Sequence, residues 1–405
     1  MLVCLRLLSI SFLFSFFCFF SLSGQNIDVY NYFNSPVPDN RVNCIEIDSS
    51  GFLWVGTQYG LVSFDGFSWI DFSDSINNPV VRDVSVDKKG DVWVATNAGF
   101  CKYDSVWRFF TPSFQSLNEQ INCISFDKDD DPWFGTVNGL FSFKNNSFDL
   151  VLDTSSLENF VNVSSISFKG DSVIVGTMNG GIGFIYNGFC SWLNISPIGG
   201  IVDNSFDDLF VDESNNIWGC SPYGGVQVFL QGSGWYFINT FSNPGWPSNS
   251  VTSIYSDSVQ TKYLGTKGGG LILLDLLSGG VSFSSIDSSN SDLPDNFILD
   301  VIVEKQNVWL ATQFEGLVKM SFPGVSILET EKEDFVFYPV PFKNKINFSS
   351  SVPKTVCVYS LDGVLLFSKK VSSFSCLNLT FLPSGLFLFS VEDHEKKHIK
   401  KIIKL

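Results

Sequence analysis

The chain has 405 residues, of which 44% are hydrophobic and 16% aromatic, and its formal net charge is −16. Its only two histidines, His394 and His398, lie near the C-terminus, so the rest of the chain has no histidine to act as a general base or a metal ligand. Strong negative charge also disfavours binding to a phosphate backbone, and we expect no nucleic-acid partner.

The N-terminal segment has the organisation of a signal peptide. One basic residue, Arg6, precedes an apolar run from Leu7 to Phe20, and small residues follow up to Gly24. The run is about 14 residues long, whereas a membrane-spanning helix needs about 20. We therefore predict a signal peptide over residues 1–24 and no transmembrane segment in the mature chain.

A four-residue motif, Trp54-Val55-Gly56-Thr57, is repeated along the chain at intervals of 39 to 46 residues. Its seven copies are Trp54–Thr57, Trp93–Thr96, Trp133–Thr136, Ile174–Thr177, Trp218–Ser221, Tyr263–Thr266 and Trp309–Thr312. A repeat of roughly 40–45 residues that contains several short strands is typical of a β-propeller blade. The motif therefore predicts a seven-bladed β-propeller.

Each unit contains four short segments with strand character. In the first unit they are 42–47, 53–57, 61–64 and 69–72, separated by turns rich in Asp, Ser and Gly. The apolar pair of the first segment, Val42 and Ile45, has a counterpart in every unit. A four-stranded sheet cannot bury both of its faces alone, whereas radial stacking of such sheets buries them.

A closed ring requires the two ends of the propeller to meet. Residues 28–33 resemble the fourth strand of a unit, and we predict that they pair with the third strand of the last unit, near 317–321. In the alternative arrangement, residues 325–328 supply that strand locally.

The repeats stop near Gly324, and a charged stretch follows them. We predict a propeller over 25–324, a linker over 325–333 and a second domain over 334–405. The second domain has several short strand-like segments and reads as a small immunoglobulin-like β-sandwich. The predicted fold class is therefore all-β throughout, because no long stretch shows a helical period.

Neither the cysteines nor the acidic clusters indicate a metal centre. Seven cysteines follow the signal peptide, spread along the chain, and Cys357 with Cys376 is the only pair worth testing for a disulfide. The densest acidic cluster, 127–131, matches the turn of the other units and is interpreted as a solvated turn, with calcium binding as the alternative. We expect no metal, no cofactor and no catalytic residue.

Two families share motifs with this chain. Residues 38–64 follow the pattern LPxNxVxxIxxDxxGxLWVGTxxGLxxFD, and parts of it recur at 247–254 and 293–301; the repeats thus resemble two-component regulator propeller repeats. The motifs YPVPF at 338–342, VYSLDG at 358–363, LPSGLFLFSV at 382–391 and KKIIKL at 400–405 resemble the type A sorting domain of the Bacteroidetes type IX secretion system. Val340 replaces the usual Asn of YPNP.

The second resemblance implies a route and a partner. The signal peptide would take the chain to the periplasm, and the type IX secretion machinery would recognise residues 334–405 and export it. The resemblance thus implies a location on the outer-membrane surface or outside the cell.

Propellers usually bind ligands where the turns between the second and third strands converge. In this chain those turns contribute Tyr59, Asn97, Asn138, Asn179, Tyr223, Lys267 and Glu315. Such side chains suit a glycan or a protein ligand, although Asn and Gly in these turns also serve backbone geometry alone. We therefore favour a non-catalytic binding or scaffold protein. The alternative is a carbohydrate-active enzyme, a lyase or glycosidase, that uses paired carboxylates instead of histidine.

Overall fold

The computed structural model describes residues 26–110, 120–145, 147–153, 162–195, 200–257, 261–277, 280–305, 307–321, 335–338, 345–350, 354–360, 365–371, 374–383, 385–392 and 397–404. The predicted signal peptide and linker lie outside these residues. The chain divides into two compact units, Met1–Ser326 and Ile327–Leu405.

The first unit consists of seven four-stranded antiparallel sheets, which confirms the predicted seven-bladed propeller. The chain begins with β1 (Asn26–Tyr30). Blade 1 contains β2 (Val42–Ile47), β3 (Leu53–Thr57), β4 (Leu61–Phe64) and β5 (Trp69–Asp71), followed by a 3-10 turn, Ser73–Ser75. Blade 2 contains β6 (Val81–Val86), β7 (Val92–Thr96), β8 (Gly99–Tyr103) and β9 (Trp107–Phe110). Blade 3 contains β10 (Ile121–Phe126), β11 (Pro132–Thr136), β12 (Gly139–Lys144) and β13 (Ser147–Asp153).

The remaining blades repeat this order. Blade 4 contains β14 (Asn162–Lys169), β15 (Ser172–Met178), β16 (Ile182–Tyr186) and β17 (Phe189–Leu193). Blade 5 contains β18 (Asp208–Val211), β19 (Ile217–Ser221), β20 (Gly225–Leu230) and β21 (Gly234–Ile238). Blade 6 contains β22 (Val251–Ser256), β23 (Lys262–Thr266), β24 (Leu271–Leu277) and β25 (Gly280–Ile286). Blade 7 contains β26 (Ile298–Glu304), β27 (Asn307–Thr312) and β28 (Leu317–Ser321).

The N-terminal strand completes the last blade. β1 pairs antiparallel with β28, from Asn26 opposite Ser321 to Tyr30 opposite Leu317. The innermost strands contact one another in sequence order, and β26 contacts β2 to close the circle. The predicted ring closure is therefore confirmed, although the strand begins and ends two to three residues earlier than expected. The alternative segment, 325–328, lies outside the described residues.

A hydrogen bond to a turn aspartate holds the repeated tryptophan in four of the blades, whereas the indole Nε1 of Trp309 in blade 7 has no partner among the described residues. In blade 2 the indole Nε1 of Trp93 donates to Oδ2 of Asp87, six residues earlier, at 3.1 Å. The other carboxylate oxygen of Asp87 accepts the backbone N–H groups of Lys89 and Asp91, which fixes the turn between the first two strands. The same bond joins Asp48 to Trp54, Asp127 to Trp133, and Asp212 to Trp218, and Tyr263 donates its hydroxyl to Asp257.

The small residue that follows in the motif is required by the neighbouring blade. A Cβ atom on Gly56 would lie 2.4 Å from Cγ1 of Val81, which belongs to the inner strand of blade 2. Ala95 and Ala311 occupy the same position in blades 2 and 7 and are fully buried. Close approach of the inner strands thus limits this position to Gly, Ala or Cys220 across the ring.

The second unit contains two antiparallel sheets. One is formed by β29 (Phe335–Tyr338), β30 (Lys345–Ser350) and β33 (Phe374–Asn378). The other is formed by β31 (Lys354–Tyr359), β32 (Leu365–Val371), β34 (Gly385–Glu392) and β35 (Lys397–Lys404). Buried side chains from both sheets, including Phe348, Leu377 and Phe389, form one core, as the predicted small sandwich requires.

Candidate functional site

The ends of the strands define two faces of the propeller. Because the four strands of a blade alternate in direction, the start of the innermost strand, the turn between the second and third strands and the connection to the next blade all lie at one end. We call this end the mouth face. It carries all seven side chains that the sequence predicted as ligand contacts.

A β-bulge shapes the innermost strand, and the two residues at the bulge line the central channel. In blade 1 the register with β3 shifts between Val42 and Cys44, so that Asn43 has no partner in the ladder. The same shift occurs in blades 2, 3, 4, 6 and 7. The corresponding pairs, all lining the channel, are Asn43-Cys44, Arg82-Asp83, Asn122-Cys123, Ser164-Ser165, Asp207-Asp208, Thr252-Ser253 and Leu299-Asp300.

These bulge pairs join every blade to the next by a hydrogen bond from side chain to backbone. In blades 2, 5 and 7 the second residue is Asp, which accepts a backbone N–H of the next blade; in the other blades the first residue donates to a carbonyl. The seven bonds are Asn43 Nδ2 to Val81 O (2.7 Å), Ile124 N to Asp83 Oδ2 (2.7 Å), Asn122 Nδ2 to Val163 O (2.8 Å), Ser164 Oγ to Phe206 O (2.5 Å), Ile254 N to Asp208 Oδ2 (3.0 Å), Thr252 Oγ1 to Ile298 O (2.7 Å) and Ile45 N to Asp300 Oδ2 (2.9 Å).

The three aspartates of this ring have a shared electrostatic character. Burial raises the pKa of Asp83 to about 7 and that of Asp208 to about 6, and raises the pKa of Asp300 well above its ordinary value. Backbone N–H groups that donate to the carboxylates oppose the shift without cancelling it. Asp300 and Asp208 each also accept the N–H of the residue that follows them, so their oxygens are occupied by the backbone.

Two further acidic residues, Glu46 and Asp207, line the channel. Burial, followed by the negative charge of Asp83, raises the pKa of Glu46 to about 8. The channel that these groups line has a volume of about 310 Å³. It is a polar space in which burial raises the pKa of each of these acids.

The mouth of the channel is lined by more positive than negative side chains. A cavity of about 280 Å³ opens there, lined by amides and by the cations Arg41, Arg82 and Lys267. Its one carboxylate, Asp207, forms an ion pair with Lys267 at 3.1 Å. The two arginines are held instead by amide oxygens: Arg41 Nε donates to Asn43 at 3.1 Å, and Arg82 Nε donates to Asn97.

Two of the seven residues predicted from the sequence, Asn97 and Lys267, line this cavity. Asn179 serves its turn: it has a φ of +76°, and its side chain accepts a hydrogen bond from Ser205 Oγ at 3.0 Å. The described contacts of Asn138 and Glu315 include backbone N–H bonds to the motif threonine of their own blades, as the geometry of these turns requires.

The two predicted tyrosines, Tyr59 and Tyr223, lie outside the cavity but are 65% and 78% exposed. They belong to a larger set of exposed aromatic side chains on the turns and connections of the mouth face. In ring order from blade 5 to blade 1, this aromatic arc consists of Tyr223, Phe241, Phe297, Phe314, Tyr32, Phe33 and Tyr59. The arc covers one side of the ring, so the mouth face has an aromatic side and a polar centre.

The sequence analysis missed the bulge residues. Their signal was present, because they are the two residues between each repeated apolar pair, such as Val42 and Ile45. The repeat alone does not show that the strand bulges between them, and so does not show that both positions line the channel.

The sequence analysis also singled out the acidic cluster at 127–131 and the pair Cys357 and Cys376. In the acidic cluster, Asp127 is occupied by its turn and by Trp133, and the exposed Lys128 and Lys144 pair with Asp171 and Asp131. No group of side chains suited to a metal ion occurs in the part of the chain that the structure describes. Cys357 is a buried free thiol, and the side chain of Cys376 lies outside the description.

Two protein families match parts of the chain. Residues 336–405 match the family described as "Secretion system C-terminal sorting domain", and residues 36–59 match "Two component regulator propeller". The chain is therefore a β-propeller protein with a C-terminal sorting domain. The match to the two-component regulator propeller covers one repeat, that of blade 1. The comparison with curated proteins found no significant match to this sequence.

Solved structures share the fold. PorZ, a surface component of the type-IX secretion system of Porphyromonas gingivalis, is 14% identical with a TM-score of 0.56; the match covers 91% of this chain and 60% of PorZ. The extracellular domain of the hybrid two component system BT3049 from B. thetaiotaomicron is 17% identical with a TM-score of 0.59, over 93% of this chain and 57% of that one. A catalytically inactive histidine-to-alanine variant of virginiamycin B lyase from Staphylococcus aureus is 12% identical with a TM-score of 0.58, over 73% of this chain and 99% of the lyase.

The sorting domain indicates that the protein is exported, to the cell surface or beyond it, and associates it with the secretion machinery. This chain spans only 60% and 57% of the first two neighbours, and their identity to it is low, so they define the fold alone. Within the described residues, no helix has both the length and the apolar character that crossing a membrane would require.

Proposed function

We propose that this protein is a non-catalytic binding or scaffold protein, displayed on the outer-membrane surface or released, that holds a glycan or protein ligand on the mouth face of its propeller. The observation that carries the proposal is the aromatic arc. Seven exposed aromatic side chains lie on the turns of one face, around a polar cavity. Aromatic rings beside amide and charged groups are suited to a ligand that both stacks and forms hydrogen bonds.

The domain boundaries form part of the proposal. Residues 1–24 act as the signal peptide, 25–324 form the propeller, 325–333 link the domains, and the type IX machinery recognises 334–405. In this arrangement the sorting domain directs export, and the propeller carries the binding face outside the cell.

The alternative, a carbohydrate-active enzyme, is less well supported by the channel chemistry. Three of the channel acids, Asp83, Asp208 and Asp300, accept backbone N–H groups of adjacent blades, so these carboxylates already serve to hold the ring together. One neighbour with the same fold, virginiamycin B lyase, becomes inactive when a histidine is replaced. Both histidines of this chain lie within the matched sorting domain.

A glycan array and a pull-down with the full chain test the proposal. We expect saturable binding that falls in Tyr59→Ala and Tyr223→Ala. Tyr186→Ala is the matched control, because Tyr186 is 53% exposed but ends the third strand of blade 4, on the face opposite the mouth. Turnover of a bound polysaccharide would favour the enzyme instead, and an absence of any ligand would overturn the proposal.

A further inference from the structure

The strongest unassigned feature of the mouth is the pair Arg41 and Arg82. Both line the same cavity, and in the described part of the chain neither forms an ion pair with a carboxylate. Burial of the Arg82 guanidinium, followed by the positive charge of Arg41, lowers the pKa of Arg82. Two cations thus lie close together in a chain whose net charge is −16.

The amide contacts orient both guanidinium groups. Asn43 and Asn97 accept from the Nε atoms of Arg41 and Arg82, and no hydrogen bond from an Nη group of either arginine occurs among the described residues. A guanidinium that is fixed in this way is suited to binding a planar oxyanion through two parallel hydrogen bonds. A third cation, Lys267, is already neutralised by Asp207 across the mouth.

The fold also explains why Arg82 is available. In blades 1, 3, 4 and 6 the first bulge residue is used to join the next blade. In blade 2 the second residue, Asp83, makes that bond, and Arg82 is not needed for the ring. The bulge therefore presents a charged side chain to the mouth without weakening the circle.

Two exposed aromatic residues, Tyr32 and Tyr59, lie near Arg41 on the same face. The backbone N–H of Gln58, next to Tyr59, donates to the carbonyl of Arg41 at 3.1 Å. The N–H of Tyr32 donates to the side chain of Asn40, which precedes Arg41. Tyr32 and Tyr59 are 64% and 65% exposed, so their rings are open to solvent near the chain segment that contains Arg41.

We infer that Arg41 and Arg82 form a subsite for the carboxylate of an acidic polysaccharide, whose sugar rings stack on the neighbouring tyrosines. A uronate-containing chain fits better than an acidic peptide, because the cavity offers amides for hydroxyl groups and exposed aromatic rings for pyranose faces. The inference deepens the proposed function and rests on it.

The test is titration of the full chain with polygalacturonate, dextran and polyglutamate at several salt concentrations. We expect polygalacturonate to bind and dextran to bind at least ~10-fold more weakly. Arg41→Gln or Arg82→Gln should weaken polygalacturonate binding by ~10- to ~100-fold, as loss of a charged hydrogen bond predicts. Arg82→Lys should recover only part of the affinity, because lysine keeps the charge but not the planar fork.

Arg108→Gln is the matched control. Arg108 lies on the outermost strand of blade 2 and pairs with Asp104, so this change removes the same charge away from the mouth. Thermal unfolding of each variant checks that it is folded, and Arg41→Gln keeps the test open if Arg82→Gln unfolds, because Arg41 is exposed.

The outcomes separate the two proposals. The arginine subsite would be overturned if Arg108→Gln lost as much affinity as the mouth variants, or if the mouth variants lost none. Binding of polygalacturonate by the wild type would still support the proposed function in either case. Preference for polyglutamate would replace the polysaccharide by an acidic protein segment and would overturn the inference. If the full chain bound no glycan of the array and no protein, both the arginine subsite and the proposed function would be overturned.

Discussion

Asp300 in blade 7 accepts a hydrogen bond from the backbone N–H of Ile45 in blade 1, at 2.9 Å and across 255 positions of sequence. This bond closes the circle at the channel, while β1 closes the same blade at its outer edge. Six other side chains make the equivalent bond at the remaining junctions. Adjacent blades are therefore joined by specific polar contacts as well as by apolar packing.

Replacing Asp300 by Ala should weaken the closing junction. The N–H groups of Ile45 and Val301 both lose their acceptor, which costs about 1–3 kcal/mol each for a buried donor, offset in part because a carboxyl no longer has to be buried. Urea denaturation measures the loss. Asp292→Ala, at an exposed position before the same strand, should leave stability unchanged, and equal midpoints for the two variants would contradict the role of Asp300.

Stability should depend on pH through the aspartate ring. The pKa of Asp83 rises from 3.8 to about 7 on folding, so between these values the folded chain binds more protons than the unfolded chain. The stability from this group is therefore complete below about pH 4 and is lost as the pH rises through about 7.

Asp83→Asn cannot ionise and isolates this contribution. The free energy of unfolding of the wild type minus that of the variant should fall as the pH rises from about 4 to about 7 and level off above that. A difference that rises over the same range would show that the N–H donors outweigh burial at this carboxyl.

The acidic cluster gives a matched pair of variants. Asp127→Ala removes the acceptor of two backbone N–H groups and of the Trp133 indole, and should cost about 1–3 kcal/mol. Asp129→Ala, two positions away and exposed, should be neutral. Thermal unfolding with and without calcium separates the two interpretations: a calcium-dependent rise in midpoint that both variants abolish would indicate a cation site.

Tyr30 couples the N-terminal strand to blade 1. Its ring lies 5.7 Å from that of Phe64, 5.6 Å from Trp69 and 6.1 Å from Trp309, so it packs at the junction of the last and first blades. Tyr30→Ala should cost about 2–4 kcal/mol by removing these contacts. Tyr32→Ala, an exposed ring two residues later, should leave the midpoint unchanged, and limited proteolysis should cleave the Tyr30 variant faster.

Much of the fold was predictable because its signals are local. The spacing of Trp54, Trp93 and Trp133 sets the blade length, and the apolar pairs mark the inner strands. The likeness of residues 28–33 to a fourth strand was enough to predict how the ring closes. The hydrogen bond of the tryptophan was not predicted, since a turn aspartate six residues earlier resembles any other polar turn residue until its bond to the indole is seen.

The site was less predictable. Exposure of Tyr59 and Tyr223 and the position of Lys267 agree with their place in the turns, but the turn motif does not distinguish Asn97, which orients Arg82, from Asn179, which supports its own loop. Arg41 and Arg82 were not identified, because they belong to neighbouring repeats and nothing in an isolated repeat indicates that these two residues line one cavity.

The sequence by itself determined the number of blades, their strands and the sorting domain, because each depends on a pattern contained within a few tens of residues. The tertiary structure alone decided which side chains share the channel and its mouth. Those residues come from seven units about 40 positions apart, and only the closed circle brings them together. Burial in that circle, and the acceptors and charges that neighbouring blades contribute, then set whether each residue holds the ring or remains available to a ligand.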